Sequence, residues 1–156
     1  MMRRASGRAA VARRAWELMF DFIMRTSAQR MKVLQTHGLT PNDSRGLTGL
    51  DPVKGRTMRS LAAEWNCDAS NATWIVDRLE RLRLAKRLTS PQDRRVKLVV
   101  LTRHGVAVKK QLLKAFHEPP AAILALEKDE LDRLRRGLEV LAAPEAKGSH
   151  VTRKES

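Results

Sequence analysis

The chain reads as a mainly α-helical fold with a small β-hairpin wing: a winged helix-turn-helix joined to a further helical region. Three observations predict it. Two short amphipathic helical patterns, over 58–65 and 69–82, are separated by a tight turn. Two strand-like runs, Leu84 to Leu88 and Val96 to Leu101, follow directly and are joined by the turn Ser90-Pro91-Gln92-Asp93-Arg94-Arg95. Longer helical patterns flank this unit on both sides. Helix, turn and helix within roughly 25 residues is the spacing of a helix pair that reads DNA.

Composition sets the outer bounds. A chain of 156 residues fits one domain with accessory helices, and 42% hydrophobic residues are enough for a core. The 31 Lys+Arg against 17 Asp+Glu give a formal charge of +14, which calls for a polyanionic partner, nucleic acid or an anionic membrane surface. No apolar run approaches the roughly 18–20 residues a membrane span needs. The basic start lacks the apolar stretch of a signal peptide, so secretion is not expected; an Arg-rich transit peptide is the less favoured alternative to a cytoplasmic protein. The single cysteine, Cys67, permits no disulfide within the chain and no Cys-based zinc site. Neither metal nor cofactor is expected, since His37, His104, His117 and His150 lack ligand spacing. No nucleophile–base pair or Gly-rich phosphate loop appears, so catalysis is not expected.

Each element has its own signal. Residues 1–10 are Arg/Ala/Gly/Ser-rich and read as a flexible basic arm. Over 11–36, Val11, Ala15, Leu18, Met19, Phe22, Ile23 and Met31 recur at helical spacings, and His37-Gly38 is the stop. Thr40 caps a second helix with Pro41 in its first turn; Gly46 and Gly49 predict that it is short and weak. Thr57 caps the third helix. Asn66 suits the left-handed turn after it, and Asp68 caps the fourth, whose inner face is Ala72, Ile75, Val76 and Leu79. Thr102 caps a helix over 103–117, Pro119-Pro120 breaks it, and Leu131, Leu134, Leu138 and Leu141 mark a last helix over 127–142. The resulting division is a winged domain over 39–102, flanking helical regions over 11–38 and 103–142, and a disordered tail over 143–156.

The fourth helix must offer polar side chains to base edges. Its outward set is Ser70, Asn71, Thr73, Trp74, Asp77 and Arg78. Asparagine can bond adenine with two hydrogen bonds, and serine or threonine reaches bases or phosphates. Arg78 and Arg81, further along, suit phosphates. Trp74 either packs on a thymine methyl or sugar, or covers a neighbouring element. At the wing, Arg94, Arg95 and Lys97 form a basic tip, and arginine is what a narrow minor groove attracts. Asp93 beside them is placed to hold a guanidinium through a bidentate pair. Arg56, Arg59 and Ser60, at the start of the third helix, are candidates for phosphate contact.

These residues resemble the MarR family of bacterial winged-helix transcription regulators. The resemblance rests on Asp93-Arg94-Arg95-x-Lys97 with Leu101-Thr102-x-x-Gly105, and on Val76-Asp77-Arg78-Leu79-Glu80. It is close over 57–105 and looser over 11–142. It implies a homodimer interlocked through the first and the last two long helices, bound to near-palindromic double-stranded DNA. It implies a minor-groove arginine at Arg95 oriented by Asp93, with base and phosphate contacts at Ser70, Asn71, Thr73 and Arg78. It also implies repression relieved by a small, often aromatic, effector, for which Trp16 and His37 are candidate pocket residues. The chain departs from the family pattern at Arg83 and Asn66, where glycine is usual, and over the Gly-rich segment 44–56. A non-glycine residue at 83 must hold a left-handed backbone or reroute the chain. Cys67 reads as a packed structural residue, with nothing nearby to activate it. The alternative function is an architectural protein that packs DNA without sequence preference.

Overall fold

The computed structural model describes residues 2–143. Its element order is α1 (Met2–Thr36), α2 (Pro41–Gly49), β1 (Arg56–Thr57), α3 (Met58–Trp65), α4 (Ala69–Arg81), β2 (Ala85–Thr89), β3 (Lys97–Leu101), α5 (Arg103–His117), α6 (Ala121–Leu124) and α7 (Lys128–Ala142). This is the mainly helical, winged helix-turn-helix architecture that the sequence predicts. The expected tail beyond residue 143 lies outside the described residues. No helix among the described residues is long and apolar enough to cross a membrane.

The chain forms two compact units, Met1–Glu118 and Pro119–Ser156. In the first, α2, α3 and α4 surround a core of Leu47, Leu50, Leu61, Trp65, Ile75, Val76 and Leu79. Leu34 near the end of α1, Val99 and Leu101 of β3, and Val108 and Leu112 of α5 extend this core. The sheet is antiparallel in the order β1-β3-β2, with Arg56 opposite Val99 and Arg87 opposite Val99 on the other side. In the second unit α6 is a single turn and α7 opens on a capping box between Glu127 and Glu130.

Two expectations are corrected. The basic segment expected as a flexible arm over 1–10 is helical from Met2 onward, because its alanines and arginines favour helix and no proline interrupts. The second helix is short but well seated. Thr40 and Asp43 form a capping box, and a methyl at Gly46 would stand 2.6 Å from Ile75 Cγ2, so the glycine lets α2 lie close against α4. The strand β1 and the one-turn α6 were not expected. Both are too short to carry a periodic pattern of their own.

Candidate nucleic-acid interface

The fourth helix is anchored by its apolar face and capped by Asp68. The carboxylate accepts hydrogen bonds from the Asn71 N–H and the Ser70 hydroxyl, each at 2.7 Å. The Ser70 hydroxyl is the larger influence, the Asn71 N–H the second, and together they hold the Asp68 carboxyl below its ordinary value. The turn before it is built on Asn66 at φ 48°, the left-handed conformation the sequence suggests. Ala72, Ile75, Val76 and Leu79 are buried. The outward face therefore presents Ser70, Asn71, Thr73 and Trp74 to solvent, Trp74 at 48% exposure. Thr73 donates its hydroxyl to the Ala69 carbonyl.

The other two residues expected on that face are engaged elsewhere. Arg78 turns toward α2: its Nε donates to Asp43 Oδ2 at 2.7 Å and its Nη2 donates to the Gly38 carbonyl at 3.0 Å. Asp43 is fully buried, and the same Oδ2 accepts the Thr40 N–H at 2.7 Å. Arg78 is thus an internal tie between α4 and the α1–α2 corner rather than a free phosphate contact, because a buried carboxylate requires a charged partner. Asp77 is paired with Arg87 of β2 at 2.8 Å, and Glu80 binds the same guanidinium. Its negative charge serves the wing strand and not a base edge.

At the wing, strands β2 and β3 pair through Thr89 and Lys97, whose Nζ donates to the Thr89 hydroxyl at 2.7 Å. The tip is stapled by short-range bonds. Ser90 N–H donates to the Val96 carbonyl at 2.9 Å, and Asp93 Oδ1 accepts the Arg95 N–H at 2.9 Å. Asp93 therefore shapes the turn through the Arg95 backbone; among the described residues no ion pair links it to the Arg95 guanidinium, correcting the bidentate pair expected from the sequence. The Arg94, Arg95 and Lys97 side chains are exposed.

The join between α4, wing and α5 is tightly stitched. Arg83 holds φ 58°, so the residue that replaces glycine takes the left-handed backbone and does not reroute the chain. Thr102 donates its hydroxyl to the Arg83 carbonyl at 2.7 Å and accepts the Gly105 N–H at 2.9 Å. A side chain at Gly105 would collide with the Leu84 carbonyl, which gives the Thr-x-x-Gly spacing a steric cause.

The start of α3 is only partly available. Arg59 is exposed, whereas the Ser60 hydroxyl donates to the Thr57 carbonyl at 2.9 Å and Arg56 pairs with Glu64 at 2.5 Å. The Ser60 hydroxyl is thus engaged within the first turn of α3, which Thr57 caps. The two effector-pocket candidates do not converge. Trp16 is 64% exposed on α1 and His37 follows its last turn, about 30 Å away along one helix axis. One chain cannot bring them to a common small-ligand site. Cys67 is half-buried against the core, as a packed residue should be.

Sequence reasoning missed Asp43 and Arg87. The Thr40-x-x-Asp43 capping-box spacing was a signal for the first. For the second, the signal was an arginine one strand position from an outward lysine, facing the carboxylates of α4.

The fold is similar to that of several solved structures. An S. aureus MepR–DNA complex matches with a TM-score of 0.67 at 21% identity, covering 80% of this chain and 96% of that one. Apo MarR from E. coli matches with a TM-score of 0.66 at 22% identity, covering 81% and 95%. YusO from Bacillus subtilis matches with a TM-score of 0.68 at 21% identity, covering 85% and 95%. No family model and no curated protein matches the sequence. The chain has the winged-helix fold of MarR and MepR over most of its length.

Proposed function

We propose that the chain is a MarR-family transcription regulator that binds near-palindromic double-stranded DNA as a homodimer. The observation that carries this reading is the division of α4. Its apolar face is buried, Asp77 and Arg78 are tied to neighbouring elements, Ser70, Asn71, Thr73 and Trp74 remain outward, and Arg94 and Arg95 of the wing tip are exposed. Exposed polar groups on the first turns of a helix suit base edges in a major groove, and arginines on a hairpin suit the adjacent minor groove. The MepR structure of the same fold is a complex with DNA, which supports the same use here.

A second copy of the chain is the partner that the exposed apolar residues favour. Trp16, Phe20, Ile23, Met24 and Met31 recur along one side of α1 and are all exposed, and Leu134, Leu138 and Leu141 of α7 are exposed as well. Apolar runs of this extent mark interaction surfaces. In this reading 11–38 and 103–142 make the dimer and 39–102 the DNA-binding domain. Repression relieved by a small effector completes the proposal, on the sequence resemblance alone.

Selection of bound duplexes from a random pool tests it. The expected outcome is a two-fold symmetric consensus whose affinity falls steeply with salt, as phosphate neutralisation by many cations requires. Duplexes recovered without any consensus would point to an architectural role. Once a consensus duplex is in hand, aromatic acids and phenols are the first effectors to test for release.

A further inference from the structure

Arg87 is the one arginine of β2, and it faces α4 with its fork and its backbone together. Its Nη2 meets Asp77 Oδ1 at 2.8 Å, its Nη1 meets Glu80 Oε2, and its own N–H donates to Glu80 Oε1 at 2.9 Å. The Arg87 side chain is 26% exposed and Glu80 30%, so the pair is partly shielded from water. Two carboxylates one helical turn apart on α4 thus grip both the side chain and the main chain of one wing strand. A planar guanidinium that fills two acceptors at once fixes direction as well as distance. From this anchor the tip begins at Ser90, three residues or about 10 Å along the strand. The outward residues Ser70 and Asn71 lie about 10 Å from Asp77 along α4, toward its N-terminus.

We propose that Arg87 is a positioning residue: clasped by Asp77 and Glu80, it sets where the Arg94-Arg95 tip stands relative to the outward face of α4. It touches no DNA. It makes the two contacts arrive together, so that binding by the helix places the wing arginines at their groove without a separate search. The proposal rests on the DNA-binding reading above. It also gives Asp77, an acidic group on a helix offered to a polyanion, a cationic partner in Arg87, which it shares with Glu80.

The test is a double-mutant cycle on the tightest duplex recovered by the selection, at one salt concentration, with the full chain. Arg95→Ala is expected to weaken wild-type binding about tenfold, within the range for an arginine contact to DNA. In an Arg87→Gln background the same Arg95→Ala change is expected to cost less than about threefold, because an unclasped wing no longer delivers Arg95. Arg87→Lys should restore part of the Arg95 penalty, and Asp77→Asn, which removes one limb of the clasp on its exposed side, should lower it in part. A residue that only stabilised the fold would weaken binding while leaving the Arg95 penalty unchanged. Additive penalties in both the Arg87→Gln and Asp77→Asn backgrounds therefore overturn the clasp while the DNA-binding reading stands. A wild-type chain that selects no duplex overturns both.

Discussion

Arg83 holds its backbone at φ 58° where glycine would do so without strain. A side chain in the left-handed region costs about 1 kcal/mol. Arg83→Gly should therefore raise stability by about that amount, read as a higher midpoint in thermal or urea unfolding, with DNA affinity little changed. Arg78 carries the opposite expectation. Its guanidinium is the partner of a fully buried carboxylate, Asp43, so Arg78→Met should destabilise by about 3 kcal/mol, since it strands a charge inside the protein. The salt dependence of DNA binding by the folded variant should be nearly that of the wild type, because this cation is already spent on Asp43. The contrast explains what was readable at this scale. Turn positions such as Asn66 are set by local backbone preference, which a sequence displays directly. The direction of a long side chain is not: helical periodicity places Arg78 at the border of the outward face, and only the position of Asp43, 35 residues earlier in the chain, decides that it points inward.

The fourth helix depends on its cap for its first turn, and that turn carries Ser70 and Asn71. Asp68 is held below its ordinary value of 3.8 by the Ser70 hydroxyl and the Asn71 N–H. Asp51, before β1, is lowered likewise by the Lys54 and Val53 N–H groups. A carboxyl whose folded value is depressed contributes stability above its unfolded value and loses it as pH falls through the folded one. Unfolding midpoints should accordingly fall below about pH 4. Asp68→Asn, which keeps a capping oxygen without a titrating group, should make that fall shallower. Equal acid sensitivity in the variant would remove Asp68 from the account. Most elements were legible because each carries its own period and cap: α3, α4 and α5 begin after Thr57, Asp68 and Thr102 as read from the sequence. The two-residue β1 was not, because it exists only by pairing with Val99 and Leu98 of β3. The start of α1 was not legible either, because the dense positive charge of 1–10 masks the helix preference of its alanines.

Across the whole molecule, the charge of +14 and the exposed apolar residues of α1 and α7 ask for different partners, DNA and a second copy of the chain. The proposed regulator satisfies both, and pairing would set two copies of α4 and two wings on one duplex. In this regulator the outward start of α4 and the wing arginines would engage one duplex together. A hydroxyl-radical footprint of the wild-type chain and of Arg95→Ala on the selected duplex, at concentrations that saturate each, separates the two contacts. The wild type should show two symmetric half-sites, each a major-groove patch flanked by a protected stretch of minor groove. Arg95→Ala should lose the flanking protection and keep the major-groove patch. An unchanged footprint with unchanged affinity would contradict that joint engagement.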